Sequence, residues 1–103
     1  MHAFDVLADP VRRRILELLA EGERSSGDVT AIVQAEFGLT QSAVSQHLKV
    51  LRDVGLVDLR RDGKQVFYRT NLEAIRPLHE WTSRFDRLWR SQLTRVKERA
   101  ERN

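Results

Sequence analysis

The feature of this sequence that most constrains its fold is a change in hydrophobic period at Gly55. Before this glycine, Val44, Leu48 and Leu51 recur at steps of four and three, which is the spacing of one face of an α-helix. After it, apolar and polar residues alternate, which is the pattern of a half-buried β-strand. The sequence therefore predicts a helix over about residues 41 to 54 that leads directly into strands.

Two alternating segments, LVDLRR and KQVFYRT, flank Asp62 and Gly63. Asp-Gly is a dipeptide favoured in the two-residue type I′ turns of hairpins. With these two residues as the loop, Leu59 pairs with Val66 and the apolar side chains share one face. We therefore expect a β-hairpin over about residues 56 to 70.

Two further helices are predicted ahead of this segment. Asp9 followed by Pro10 is a good N-cap and first-turn pair, and the apolar stripe behind it indicates a helix from about residue 10 to 21. A serine of the segment SSGD caps the next helix, which ends at Gly38 because glycine readily adopts the left-handed conformation of a C-cap. After a short turn, Thr40 is the predicted N-cap of the third helix.

A long amphipathic helix is predicted near the C-terminus. The residue before a proline disfavours helical geometry, so we expect this helix to start near Pro77 and to run to about residue 99. Its bulky apolar residues recur at steps of three and four and are Leu78, Trp81, Phe85, Leu88, Trp89, Leu93 and Val96. The three shorter helices before it are too small to cover so many apolar residues. We therefore expect a partner to bury part of this stripe.

Together these elements predict a mainly α fold with a small β-hairpin. The order is that of a winged helix-turn-helix with an additional long C-terminal dimerisation helix. Because 103 residues support one modest core, we expect a single domain over residues 1–103. In such a unit the second helix of the turn enters the DNA major groove and the hairpin forms the wing.

The solvent face of the predicted recognition helix carries short polar residues in place of the usual mixture of Glu and Lys. Glutamine makes two hydrogen bonds to adenine, and serine donates or accepts at several base edges. A lysine one turn further along suits a phosphate. The residues concerned are Ser42, Ser45, Gln46 and Lys49. The alternative reading is an ordinary solvated helix face.

Basic residues also occur on the predicted wing and on the first long helix. The wing residues predicted to touch phosphates or the minor groove are Arg60, Arg61, Lys64 and Gln65. The alternative is an edge hairpin kept soluble by its charges. For Arg12, Arg13 and Arg14 we favour a solvated face over a contact with phosphate.

Three segments resemble the ArsR family of bacterial winged-helix transcriptional regulators. LADPVRRRILELL is similar to the opening signature of the family, SAVSQHLKVLRDVGLV to its recognition helix and RRDGKQVFYRT to its wing, over about residues 3 to 72. The resemblance implies that Gln41, Ser42, Ser45 and Gln46 face DNA bases. We include the neighbouring Thr40 in the predicted DNA-binding set.

The same resemblance implies a homodimer formed by the terminal helices and, for a subgroup with bulky aromatic C-terminal helices, no metal site. The predicted dimer interface comprises Leu78, Trp81, Phe85, Leu88 and Trp89. Two alternatives remain at this point. The stripe could belong to the core of one chain, or its aromatic residues could form a pocket for an apolar effector.

Several classes of function are excluded by residues that the sequence lacks. There is no cysteine, which removes disulfides, thiolate metal sites and cysteine nucleophiles. His2, His47 and His79 are too widely spaced for a recognisable zinc site, so we expect no metal and no cofactor. No glycine-rich phosphate loop or Ser-His-Asp set appears, so we expect no enzyme. Without a signal segment or long apolar run, we expect a soluble, cytoplasmic protein with no membrane partner.

The function predicted from these patterns is sequence-specific binding to double-stranded DNA by a homodimeric transcriptional repressor. The net charge of +3 permits an acidic polymer as partner. A pseudo-palindromic operator would place two recognition helices about 34 Å apart. Two alternatives stay open: a metal- or small-molecule-responsive derepressor with the same head, and a winged-helix protein-interaction module. The effector and the operator sequence are not predicted.

Overall fold

The computed structural model describes residues 2–101 of the chain. Its elements, in chain order, are α1 (Ala3–Val6), α2 (Pro10–Glu21), β1 (Arg24–Ser25), α3 (Ser26–Phe37), α4 (Gln41–Asp53), β2 (Val57–Asp62), β3 (Gln65–Thr70), α5 (Leu72–Ser83) and α6 (Asp86–Glu101). The strands form one antiparallel sheet in the order β1-β3-β2. The ends of the expected domain, residue 1 and residues 102–103, lie outside the described part.

The caps predicted for the first helices are confirmed. Asp9 Oδ1 accepts hydrogen bonds from the backbone N–H groups of Val11 at 2.8 Å and Arg12 at 3.3 Å, so α2 starts at Pro10. These bonds satisfy donors that the first turn of a helix leaves without partners. The α3 helix is capped by a serine at its start and ends at Gly38, whose φ of 66° is left-handed.

The core lies where α2, α3 and α4 meet the sheet. The fully buried side chains come from the four helices before the hairpin and from the residue just before β2: Val6, Ile15, Leu19, Val29, Val33, Val44, Leu51 and Leu56. Thr70, at the end of β3, donates a hydrogen bond of 2.8 Å from its hydroxyl to the carbonyl oxygen of Leu16. The sheet is therefore fixed to α2 by a buried polar contact as well as by apolar packing.

The hairpin forms, but the predicted turn is wrong by one residue. Asp62 pairs with Gln65, so the loop is Gly63 and Lys64, and Leu59 lies opposite Tyr68 in place of Val66. Gly63 has φ of 61°, and no residue other than glycine between positions 2 and 101 has positive φ. This fits a type II′ turn, since type I′ would also force a positive φ on Lys64. The pairing shifts by two residues, which leaves the predicted apolar face unchanged.

Two short elements were not predicted. The β1 strand adds a third strand to the sheet, with Arg24 paired to Tyr68 and Ser25 to Phe67. The α1 helix is capped by His2, whose Nδ1 accepts a hydrogen bond from the backbone N–H of Phe4 at 3.2 Å. Both elements are too short for a hydrophobic period, so the sequence pattern gave no signal for either.

The predicted start of the terminal helix near Pro77 is wrong. Asn71 caps α5 by accepting a hydrogen bond from the N–H of Ala74 at 3.3 Å, and the proline lies inside the helix. A proline there removes one helical hydrogen bond and restricts the residue before it, at a cost of about 3 kcal/mol. Ala74 and Ile75 pack against the core, and this packing together with the cap outweighs the local preference against helix.

The single helix expected from about residue 77 to 99 is instead two helices. The N–H groups of Arg84 and Phe85 bond to carbonyls three residues back, at Trp81 and Thr82, with distances of 3.3 and 3.0 Å. This tight turn separates α5 from α6. The terminal stripe is therefore divided between two helix axes.

Arginines of α2 connect elements and do not form a plain solvated face. Arg12 Nε donates to the carbonyl of Val6 at 2.9 Å, and Arg13 Nη1 donates to that of Leu7 at 2.6 Å. Arg14 forms a bidentate pair with Glu36 on α3, with distances of 2.8 and 2.9 Å. These contacts bind α1 and α3 to α2. Within residues 2–101 no helix is long and apolar enough to cross a membrane.

Candidate nucleic-acid interface

The α4 helix is anchored on one side and open on the other. Val44, Leu48 and Leu51 are buried in the core, as their spacing predicted. Thr40 caps the helix, because its Oγ1 accepts a hydrogen bond from the N–H of Ala43 at 3.1 Å. The prediction of a recognition helix over about 41 to 54 thus agrees closely with the observed helix and its C-cap at position 54.

The polar residues predicted on α4 are all solvent-exposed in the structure: Gln41, Ser42, Ser45, Gln46 and Lys49. At 100° per residue, Ser42, Gln46 and Lys49 point directly away from the core. Gln41 and Ser45 turn towards the hairpin and line a cleft between α3, α4 and β3. The structure therefore brings the predicted residues together as one uncharged surface with a lysine at its edge.

All four predicted wing residues are exposed, and three of them lie at or near the hairpin tip. Lys64 is in the loop and Gln65 follows it. Arg61 is paired with Val66, one pair further from the loop than Asp62 and Gln65. Arg61 shares its face of the sheet with Leu59, since alternate residues of a strand point the same way. That face is the one turned towards α4.

Arg60 points to the opposite face of the sheet and is engaged there. Its guanidinium forms two hydrogen bonds with the Glu23 carboxylate, at 2.6 and 3.1 Å. It also lies over the ring of Phe67, with 4.6 Å between Cζ and the ring centroid. The pairing joins β2 to the segment before β1, across a distance in sequence that no local pattern could reveal.

The Arg60–Glu23 pair also affects protonation. The hydrogen bonds from Arg60 lower the pKa of the Glu23 carboxyl, and the same bonds raise the pKa of the Arg60 guanidinium. Both groups are therefore held in their charged forms. The positive charge of Arg60 is already compensated by a neighbouring carboxylate before any partner binds.

A second surface is formed by the terminal helices and is strongly apolar. We call α1 to α4, the sheet and the start of α5 the head. Of the five predicted interface residues, Leu78 is buried against the head, whereas Trp81, Phe85, Leu88 and Trp89 are exposed. Phe4 of α1 joins them through an edge-to-face contact with Trp81, with ring centroids 5.5 Å apart. We call these exposed residues of α1, α5, α6 and the turn between α5 and α6 the terminal apolar surface.

The terminal apolar surface contains a shallow hollow of about 410 Å³ between the two tryptophans. Trp81 and Phe85 meet edge to face with their centroids 5.0 Å apart. Leu93 and Val96 extend the same stripe along α6 and are exposed as well. Sequence reasoning missed only the contribution of Phe4, because α1 was not predicted.

The three histidines lie on separate parts of the fold: His2 before α1, His47 on α4 and His79 on α5. Among residues 2–101 there is no group of three or more His, Cys, Asp or Glu side chains placed to hold a metal ion.

Comparison with known proteins finds relatives whose similarity lies mainly in the head. A family model described as "Bacterial regulatory protein, arsR family" matches residues 9–58. The uncharacterised HTH-type transcriptional regulator Rv0081 of Mycobacterium tuberculosis is 48% identical over 65 residues, covering 63% of this chain and 54% of the relative. The biofilm growth-associated repressor of Agrobacterium fabrum is 44% identical over 63 residues, covering 61% and 50%.

Solved structures extend the likeness beyond the head. The crystal structure of M. tuberculosis Rv0081 has a TM-score of 0.65 at 36% identity and covers 87% of this chain and 88% of that one. The solution structure of the homodimeric winged helix-turn-helix DNA-binding domain of Mb0332 from Mycobacterium bovis, a possible ArsR-family regulator, has a TM-score of 0.63 at 30% identity, with coverages of 80% and 73%. The fold is thus a winged helix-turn-helix with an added C-terminal helical segment.

These matches cover the exposed face of α4 more fully than the terminal apolar surface. The aligned segment spans about half the length of the first curated relatives, 54% for Rv0081 and 50% for the A. fabrum repressor. The family match contains the whole of α4 and ends early in β2, so the hairpin tip and the terminal helices lie outside it. The family match therefore supports a role for α4 more directly than a role for the terminal apolar surface.

Proposed function

This chain belongs to the ArsR family of bacterial regulatory proteins, and we propose that it acts as a homodimeric transcriptional repressor that binds a pseudo-palindromic operator. The observation that carries this proposal is the uncharged, exposed face of α4 on a helix fixed to the core by Val44, Leu48 and Leu51. Such a helix enters the major groove as a rigid unit and presents hydrogen-bonding groups to base edges. The A. fabrum relative is named as a repressor.

Four exposed residues of α4 and the threonine that caps it then have defined roles. Gln46 makes two hydrogen bonds to adenine, while Ser42 and Ser45 donate or accept at neighbouring base edges. Lys49 lies one turn further from the helix N-terminus and contacts a phosphate. Thr40 acts by capping the helix, since its hydroxyl is already bonded to the N–H of Ala43.

The wing supplies contacts that do not depend on base sequence. Lys64 at the tip and Arg61 on the α4 side of the sheet contact phosphates, and Gln65 reaches the groove edge. Arg60 acts indirectly, because its pair with Glu23 holds the hairpin against the rest of the sheet. Direct binding of DNA by Arg60 would require this pair to break.

The terminal apolar surface pairs two copies of the chain. Its exposed aromatic and aliphatic residues form a larger apolar patch than a monomer normally leaves in water. A two-fold arrangement buries the patch of each subunit against the other and sets the two α4 helices about 34 Å apart, in successive major grooves. The M. bovis neighbour, whose domain is homodimeric, supports this assembly.

The central test separates base reading from phosphate binding. After operator-like sequences are selected from random DNA, Gln46→Ala should weaken binding to the selected DNA by about 1 to 3 kcal/mol and relax preference at one base pair per half-site. Lys64→Ala should weaken selected and random DNA alike. Lys97→Ala, which removes the same charge from α6, is the control. Equal losses on both DNAs for Gln46→Ala would remove this residue from base reading.

The role of Arg60 is tested by exchanging charges. Arg60→Glu alone should weaken DNA binding because it places two carboxylates together at the base of the wing. The double variant Arg60→Glu with Glu23→Arg should recover most of the affinity if Arg60 acts by holding the wing. A direct phosphate contact predicts the opposite, since the double variant still has Glu at position 60. Titration of the three proteins on one DNA gives the answer.

Two competing functions remain distinguishable. A small-molecule-responsive derepressor is favoured by the hollow between Trp81 and Trp89, and its signature is a stoichiometric apolar ligand that lowers DNA affinity. A protein-interaction module predicts no selection of sequences from random DNA. A cytoplasmic location and the lack of enzymatic activity stay predictions.

A further inference from the structure

A cleft of about 450 Å³ opens between α3, α4 and β3 on the side of the molecule that carries the recognition face. We call it the wing cleft. Gln41 and Ser45 line it from α4, Val66 and Tyr68 from β3, and Gly27 and Thr30 from α3. The unpredicted β1 strand creates this arrangement, because its pairing with β3 brings the start of α3 beside the hairpin.

The donors that line the wing cleft are neutral, and two of them are the hydroxyls of Thr30 and Tyr68. The side chains of Thr30 and Tyr68 are both half-buried. Neither hydroxyl takes part in the side-chain hydrogen bonds formed between residues 2 and 101, whereas the nearby Gln34 amide donates to the carbonyl of Leu39 at 3.2 Å. Two hydroxyls therefore remain able to donate to a group that enters from solvent.

The charge around the wing cleft favours an anion. None of the residues that line it is charged, and Lys49, Arg61 and Lys64 lie on the elements at its rim. The cleft on the other face of the sheet differs, because its lining contains two carboxylates, Glu23 and Asp58, each paired with an arginine. The positive charges there are already compensated, whereas no carboxylate lines the wing cleft.

We propose that the wing cleft seats the sugar-phosphate backbone of the DNA strand next to α4, with the hydroxyls of Tyr68 and Thr30 donating to phosphate oxygens. This inference rests on the proposed DNA-binding function and adds two residues to it. Gln41 and Ser45 form both the inner edge of the base-reading face and one wall of the cleft. When α4 lies in the major groove, the backbone bordering that groove must pass between α4 and the wing.

The test uses variants that remove only a hydroxyl. Tyr68→Phe keeps the ring that packs against the core, and Thr30→Val keeps the shape of the side chain. Each should weaken binding to selected and random DNA equally, by about three- to tenfold for a lost neutral hydrogen bond. The slope of log affinity against log salt should not change, because a neutral donor releases no counterion. Lys64→Ala should lower that slope by about one.

Three outcomes overturn the proposal: wild-type affinity in Tyr68→Phe, a loss confined to the selected sequence, or a changed salt slope. Thr94→Val, at an exposed threonine of α6 outside both the cleft and the hollow between the tryptophans, is the matched control. Ethylation interference on the wild-type protein gives a second readout that needs no variant. Ethylation of a phosphate beside the bases read by α4 should block binding. If no such phosphate is found, the proposal that the wing cleft binds the backbone is refuted. If the wild-type protein selects no DNA, the proposed function itself fails.

Discussion

The head and the α6 helix both contain apolar residues at helical spacing, but they differ in what covers those residues. In the head, formed by α1 to α4, the sheet and the start of α5, the apolar stripes of α2, α3 and α4 are covered by other elements of the chain. In α6 the stripe of Leu88, Trp89, Leu93 and Val96 has no cover, and none of its sixteen residues is buried. The molecule measures 61 × 28 × 24 Å, which is elongated for its size.

This difference teaches that hydrophobic spacing predicts a buried face without saying which chain buries it. Leu51 and Leu88 both follow helical spacing, yet Leu51 is fully buried and Leu88 is 59% exposed. Stability of the head should therefore depend on contacts within one chain. In the proposed dimer a second copy covers α6, so the stability of α6 should depend on protein concentration.

The largest effect is expected in the head. Leu51→Ala removes a side chain with no exposed surface and should lower the free energy of unfolding by about 2 to 5 kcal/mol, since a cavity remains. Urea unfolding should show this loss at every protein concentration. If the loss of unfolding free energy disappeared at high protein concentration, the stability of the head would also depend on a second copy. The head and α6 would then not differ in this respect.

An effect of about 2 kcal/mol or more on association is expected from the double variant Leu88→Ala with Trp89→Ala. Neither residue packs in the head, so no cavity opens there and only the dimer should weaken. Sedimentation should show dissociation while the circular dichroism of the head is kept. Leu72→Ala, at an equally exposed leucine of α5, is the control. An unchanged dimer would place the interface elsewhere.

The smallest effect is expected at the surface of the head. The hydrogen bond from Arg14 lowers the pKa of the Glu36 carboxyl, so their pairing stabilises the folded state above the carboxyl's unfolded pKa, about 4.3. This contribution is lost as the pH falls through the lowered folded-state pKa. Glu36→Gln should therefore change the thermal midpoint slightly at pH 7 and flatten its fall towards pH 3.

Glu98→Gln on α6 is the comparison for Glu36→Gln. Glu98 lies on a helix that makes no buried contact with the head, so its substitution should leave the pH dependence of the head unchanged. Equal responses of the two variants would show that the Arg14–Glu36 contact does not couple α2 to α3 in solution.

Much of the candidate site could be predicted because its signals are local. Asp9, Thr40 and Gly38 occupy the cap positions that their side chains or backbone freedom favour. The period of α4 separated its buried side from its polar side, and the resulting solvent face is the one observed. The wing was placed correctly even though its turn was not, because a shift of pairing by two residues conserves the faces of a strand.

The sequence by itself determined the types of the main elements and the side chains that each one turns inward, because caps and periods act within a few residues. Tertiary structure decided what depends on distant partners. Pro77 stays helical because Ala74 and Ile75 have a core to pack on, and Arg60 turns away from α4 to meet Glu23, 37 positions earlier. The β1 strand exists only because β3 offers it an edge, and with it comes the wing cleft. Contacts between residues far apart in the chain leave no period to read.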